Sequence, residues 1–146
     1  MGPMDRDGMV STFEGVLAGF GLDPEKCREG DGWWRFSPDG HDMQGGLHRT
    51  GFRVMCSLVK IDVDTSIDEV YTSITGRNAT LPLGALAVFA EADRYLWVRS
   101  ELAFADLSAE TMKAMVEACM ALARSPTAQS LRAKYRACLL YTSRCV

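Results

Sequence analysis

Residues 83–102, LGALAVFAEADRYLWVRSEL, decide the fold. Two apolar runs, Leu83 to Ala90 and Tyr95 to Leu102, flank the polar break Glu91, Ala92, Asp93 and Arg94. Runs of this length joined by a short polar turn predict a β-hairpin. With Ala90 opposite Tyr95, the register pairs Phe89 with Leu96, Ala87 with Val98 and Ala85 with Ser100 on one face. Val88 pairs with Trp97 and Leu86 with Arg99 on the other. The first face is small and apolar, as contact with helices requires. The second holds Leu86, Val88, Tyr95 and Trp97 beside Arg99 and Glu101, too apolar for a solvated face and too charged for a dry core. It is expected to meet a partner.

Downstream, Ser108 is placed as the N-cap of a helix, with Leu107 and Met112 spaced as a hydrophobic staple. Met112, Met115, Val116, Cys119, Met120 and Ala123 form its apolar stripe, and Ser125-Pro126 ends it. Residues 127–137 can resume as a second helical piece. Upstream of the hairpin, Ser66-Ile67-Asp68-Glu69 has capping-box spacing, and Ile67, Val70, Tyr71 and Ile74 give one stripe, with Gly76 as a left-handed cap. Before that come three strand candidates: Trp33 to Phe36, Asp42 to Leu47 after the turn Ser37-Pro38-Asp39-Gly40, and Phe52 to Val63. Gly45-Gly46 weakens the second. In the third, Phe52, Val54, Cys56 and Leu58 share one parity and Val59, Ile61 and Val63 the other, which predicts a bulge near Leu58-Val59. Val10, Phe13, Leu17 and Phe20 recur at helical spacing to make a first helix, and Leu22 to Gly32 reads as a polar connector. The order α-β-β-β-α-β-β-α gives an α+β fold, an antiparallel sheet with helices packed on one face, as a single domain over residues 9–137.

This element order over roughly Val10 to Arg124 resembles the type III secretion chaperone-like fold, and within it the YbjN-type family of bacterial sensory transduction regulators. The stretch Asn78-Ala79-Thr80-Leu81-Pro82-Leu83-Gly84-Ala85-Leu86, the hairpin after it, and Leu107-Ser108-Ala109-Glu110 opening the last helix carry the resemblance. It implies a non-enzymatic protein-binding module, an adaptor or chaperone-like regulator, and it brings no catalytic signature with it.

Composition sets outer bounds. The 146 residues suffice for one core, and 47% hydrophobic with 24% charged residues is the balance of an ordinary globular protein. A net charge of -3 with scattered arginines argues against nucleic acid or an anionic membrane as partner, because phosphate binding needs clustered Lys and Arg. No apolar run approaches the roughly 20 residues that span a bilayer, and Met1 to Asp7 lack a signal-like pattern, so the expected location is cytoplasmic. Cys138-Leu139-Leu140-Tyr141-Thr142-Ser143 reads as the translation of a sequencing-adaptor end, and residues 138–146 are set aside as a non-native tail. That leaves Cys27, Cys56 and Cys119, far apart and without metal-ligand spacing, as reduced thiols, with Cys56 and Cys119 on apolar faces as small buried hydrophobes.

No residue pattern amounts to an active site. His41 and His48 stand an odd number of residues apart and face opposite ways on a strand, so no metal site is expected. Asp62, Asp64, Asp68 and Glu69 lack the alternation and glycine of a calcium loop and are explained by strand-end polarity and helix capping. No phosphate-binding glycine loop or nucleophile motif occurs, and no cofactor is expected. Trp33 and Trp34 are consecutive on a strand, so at most one enters the core and the other is exposed or in an interface. The expected function is therefore protein binding as a homodimer, through a face holding Leu86, Val88, Tyr95, Trp97 and Arg99 with Trp33 or Trp34, helped by the helix from Ile67 to Ile74. The alternative is a small-ligand sensor or an unrecognised small enzyme with a pocket beneath Trp33 or Trp34.

Overall fold

The computed structural model describes the backbone of residues 5–78 and 86–145 and the side chains of residues 5–75 and 87–135. The chain runs α1 (Arg6–Gly19), α2 (Pro24–Cys27), β1 (Arg28–Gly30), β2 (Trp33–Phe36), β3 (Met43–Leu47), β4 (Gly51–Lys60), α3 (Ile67–Asn78), β5 (Leu86–Ala90), β6 (Tyr95–Ala103), α4 (Ala109–Ala123) and α5 (Pro126–Cys145). Six strands form one antiparallel sheet in the order β1-β2-β3-β4-β6-β5. Trp34 and Phe36, Met43, Phe52, Val54 and Cys56, Leu96 and Val98, and Ala87 and Phe89 turn to one side, where they meet Phe13, Val70, Met112, Val116, Cys119 and Leu131 from the helices. The architecture is the α+β arrangement expected, with the helical layer on one face of the sheet.

The hairpin has the register read from the sequence: Ala90 opposite Tyr95, Phe89 opposite Leu96, Val88 opposite Trp97, Ala87 opposite Val98, Leu86 opposite Arg99. The pairing of Ala85 with Ser100, and residues 79–85 of the stretch that carries the family resemblance, lie outside the described residues. The bulge is also where the parity switch put it, with the β4–β6 register shifting between Ser57 and Val59. Leu58 is the inserted residue, and Arg132 Nε donates to its carbonyl at 3.0 Å, supplying the partner that the disrupted ladder withdraws.

Gly45 and Gly46, which weaken β3 as a strand, turn out to shape both of its faces. A Cβ on Gly45 would stand 2.8 Å from Phe13 Cζ, so the missing side chain is what lets the α1 ring descend onto the sheet. There Phe13 packs against Trp34, Phe36 and Phe52 with ring centroids 4.9, 5.7 and 4.7 Å away. Ser108 caps α4 as expected, its hydroxyl accepting from Thr111 N at 3.1 Å, and Thr111 Oγ1 closes the box by accepting from Ser108 N at 2.8 Å. Every residue of the expected α4 stripe is buried.

Five boundaries differ. Helix α5, expected over residues 127–137, runs from Pro126 to Cys145. The connector from Leu22 to Gly32 contains α2, capped by Asp23, and the short edge strand β1; a one-turn helix and a three-residue strand are too brief to leave a periodic signal. Helix α1 begins at Arg6 because Asp5 Oδ1 accepts from Gly8 N, a cap several residues ahead of the apolar stripe. Strand β4 stops at Lys60, not Val63: Ile61 N donates to Arg94 O, and Val63 is 77% exposed. Helix α3 continues through Gly76 to Asn78, so Gly76 is not its cap. Its N-terminal cap holds, with Glu69 N donating to Ser66 Oγ at 3.1 Å, while the Glu69 carboxylate pairs with Lys134 and not with the helix start.

Candidate partner-binding face

Because the helices occupy one side, no described element covers the other side of the sheet, and strand register places its residues in rows. The first row crosses four strands as Trp33, Gly46, Arg53 and Glu101. The second is Arg35, Gln44, Met55, Arg99 and Leu86. Ser57, Trp97 and Val88 make the third, and Lys60, Tyr95 and Ala90 the fourth. The face is thus divided: arginines, a carboxylate and Trp33 at the β2–β3 end, aromatic and aliphatic side chains at the β6–β5 end.

At the apolar end Trp97 packs on Tyr95 with centroids 6.0 Å apart, and Lys60 Nζ lies 5.9 Å from the Tyr95 ring. Trp97 faces away from the helices, as the register requires, and lies outside the hydrophobic core cluster. It is nonetheless only 8% exposed, with the Tyr95 ring against it. The sequence alone suggested a wetter ring. The large exposed apolar side chains among the described residues are instead Trp33 (40%), Val63, Ile67 and Tyr71, the last two on α3. Tyr71 is held by its ring edge against Phe89 and by its hydroxyl donating to Glu91 at 2.7 Å.

The two consecutive tryptophans separate as alternation demands. Trp34 is 1% exposed in the core and its indole N–H donates to Glu14 at 3.0 Å, so it leaves the set of partner-facing residues. The same Glu14 oxygen accepts two bonds from Arg28, at 3.1 and 2.6 Å. Burial alone would raise the Glu14 carboxyl, but these donors hold it below its ordinary value. Trp33 lies on the bare face and walls a cleft of about 320 Å³ with Gly32, Gly46, His48 and Arg53. In that row Arg53 Nη2 donates to Glu101 at 3.3 Å, Arg99 Nε stands 4.0 Å from the same carboxylate, and Arg53 Nε is buried without a partner.

Sequence reasoning assigned Arg99 to this face but missed Arg53, Arg35 and Met55, because it paired β6 only with β5; the β4–β6 pairing, a contact across α3, carries no local signal. His41 and His48 stand in separate surroundings. His41 Nε2 accepts from Arg124 Nε at 3.1 Å, and burial, then Arg124 and Arg132, lowers its pKa. Burial and then Arg53 lower that of His48. Among the described residues no group of three or more His, Cys, Asp or Glu could hold a metal ion, and no hydroxyl or thiol is bonded to either histidine. The thiols of Cys56 and Cys119 are pushed up to about 11 and about 12 by burial, the reverse of what a nucleophilic cysteine needs. No helix among the described residues is long and apolar enough to cross a membrane.

No family model matches the chain, and no curated protein matches it. Solved structures do. A chain of the ExsC–ExsE complex superposes with a TM-score of 0.65 at 16% identity, covering 85% of this chain and 92% of that one. The HopA1–SchA chaperone–effector complex gives 0.60 at 14% identity, covering 84% and 96%. The heterodimeric ExoU–SpcU complex from the type III secretion system of Pseudomonas aeruginosa gives 0.51 at 13% identity, covering 73% and 87%. At these identities the likeness is one of fold, and this chain shares its fold with a chain of each of these three complexes.

Proposed function

We propose that this protein is a non-enzymatic, chaperone-like binding module that works in the cytoplasm as a homodimer and holds a segment of another protein. The observation that carries the reading is the bare sheet face with Trp97, Tyr95 and Val88 gathered at one end, outside the core, and Trp33 exposed at the other. The fold supports it, since each of the three structures named above is a complex of two proteins and one is described as chaperone with effector. Ile67 and Tyr71, exposed on α3 on the helical side of the edge strand β5, give a second copy that wraps this edge further apolar surface to cover. Membership of the YbjN-type regulators belongs to the same reading.

Light scattering on the purified chain is the test. Twice the chain mass is expected, and Trp97→Asp and Ile67→Asp should each shift it toward one chain, with circular dichroism native for Ile67→Asp. A hot-spot residue in an interface contributes about 2 kcal/mol or more, enough to dissociate a micromolar dimer. A wild type with the mass of one chain would refute the dimer. Ile67 is included because Trp97, at 8% exposure, also contributes to the fold of its own chain.

A further inference from the structure

We propose that the cleft between Trp33 and Arg53 on the bare sheet face receives a carboxylate side chain of the bound protein segment. The inference rests on the protein-binding reading above and names the chemistry of one subsite. Gly46 lies between Trp33 and Arg53 in the row, so the floor has no side chain and the two walls stand apart. One wall is an indole 40% exposed to solvent, the other a guanidinium.

Charge and donor accounting select the occupant. Arg53 and Arg99 share a single carboxylate, that of Glu101, through contacts of 3.3 and 4.0 Å, and neither pairing is the bidentate fork that a guanidinium and a carboxylate make when matched. Arg53 has no other side-chain hydrogen bond and Nε is without an acceptor. The remaining acids nearby are committed: Asp31 pairs with Arg6 at 2.7 Å, and Asp42 with Arg35 at 3.2 Å. Arg53, Arg99 and Glu101 together therefore carry an excess of one positive charge, with guanidinium N–H donors that Glu101 does not use, beside an aromatic shelf. A planar anion on an extended segment fits these features, and guanidinium planarity favours carboxylate over a neutral amide.

The probe is a pair of fluorescein-labelled, end-capped nine-residue peptides of alternating Ser and Val, one with a central Glu and its twin with Gln, followed by anisotropy in low salt. The Glu peptide should bind at least about fivefold more tightly, the advantage shrinking as salt is raised. Arg53→Met should erase the difference, and Trp33→Ala should weaken both peptides. Glu101→Gln should move the other way and widen the difference, because it frees both guanidiniums. Equal binding of the twins by wild type, binding of neither, or a preference that survives Arg53→Met overturns the proposal. Light scattering on the same samples keeps the two readings apart: a dimer that shows no Glu preference sinks the subsite alone, and an Arg53→Met variant that becomes a single chain assigns Arg53 to the dimer interface and sinks it too.

Discussion

Replacing Arg94 by Met should be among the most damaging single changes outside the hydrophobic core. Arg94 ends the β5–β6 turn with φ of 60°, and its guanidinium reaches across to the β4–α3 connection. There Nε donates to Ile61 O at 3.2 Å, and Nη2 donates to Asp62 O at 2.5 Å and to Thr65 O at 2.7 Å, while the group lies 5.5 Å from the Phe89 ring. One side chain thus ties the hairpin to the loop that launches α3. Methionine keeps the length and an apolar contact with Phe89 and removes the donors and the charge. Hydrogen bonds from a charged donor contribute about 1.5–3 kcal/mol when buried, and about 1 kcal/mol each once water can replace them at loop carbonyls. Three such bonds put the loss at about 3 kcal/mol. For a chain of this size 1 kcal/mol corresponds to about 2–4 °C, so Tm should fall by about 10 °C. Differential scanning calorimetry on wild type, Arg94→Met and Arg94→Lys measures it, with Lys expected to recover part of the loss because an ammonium can serve some of the carbonyls. A Met variant melting within about 2 °C of wild type would refute the claim that this side chain fastens hairpin to loop.

Glu14 predicts an acid dependence. Its folded pKa lies below the ordinary 4.5, so its stabilisation is present above that value and is lost as pH falls through the lower, folded one. Melting temperature should therefore decline below pH 4.5 more steeply in wild type than in Glu14→Gln, and parallel curves would refute this. Tyr135 is 1% exposed with a hydroxyl that has no partner, so Tyr135→Phe should leave stability unchanged or raise it by up to about 1 kcal/mol in urea unfolding. A loss of that size would mean the hydroxyl is bonded in solution. Deleting residues 138–146 should shift Tm by no more than a few degrees if they are the adaptor-derived tail proposed from the sequence; a fall of about 1 kcal/mol or more would show that they pack.

What was legible in the chain was what repeats. The α4 stripe, the register of the β5–β6 hairpin and the bulge at Leu58 are all carried by residues at fixed spacing, and the structure has each of them. Arg94 shows the opposite case. In sequence it is one polar residue of a turn, and its role depends on carbonyls about 30 residues away that come near only after β4 and β6 pair. The candidate face divides the same way. Trp97 and Arg99 follow from local alternation, whereas Arg53 joins them through a long-range strand pairing, and the low exposure of Trp97 depends on neighbours that no single strand reveals. Glycine was the most misleading residue: Gly45-Gly46 read as weakness in a strand, and served to admit Phe13 on one side and to open a cleft beside Trp33 on the other.

A sheet that the described helices cover on one side lets stability and, on the proposed role, recognition be altered separately. Side chains that alternate along β2, β4 and β6 belong to two independent sets, one fixed by the helices above it and the other answerable only to what binds below. A chain of this design can exchange Gln44, Met55 or Arg35, all at the bare surface, with small effect on folding, since surface substitutions of this kind usually change stability by less than about 0.5 kcal/mol. On the proposed binding role, partner choice can then drift while Phe13, Phe52 and Cys119 stay as they are, so copies of one scaffold can take different segments without passing through a misfolded intermediate sequence.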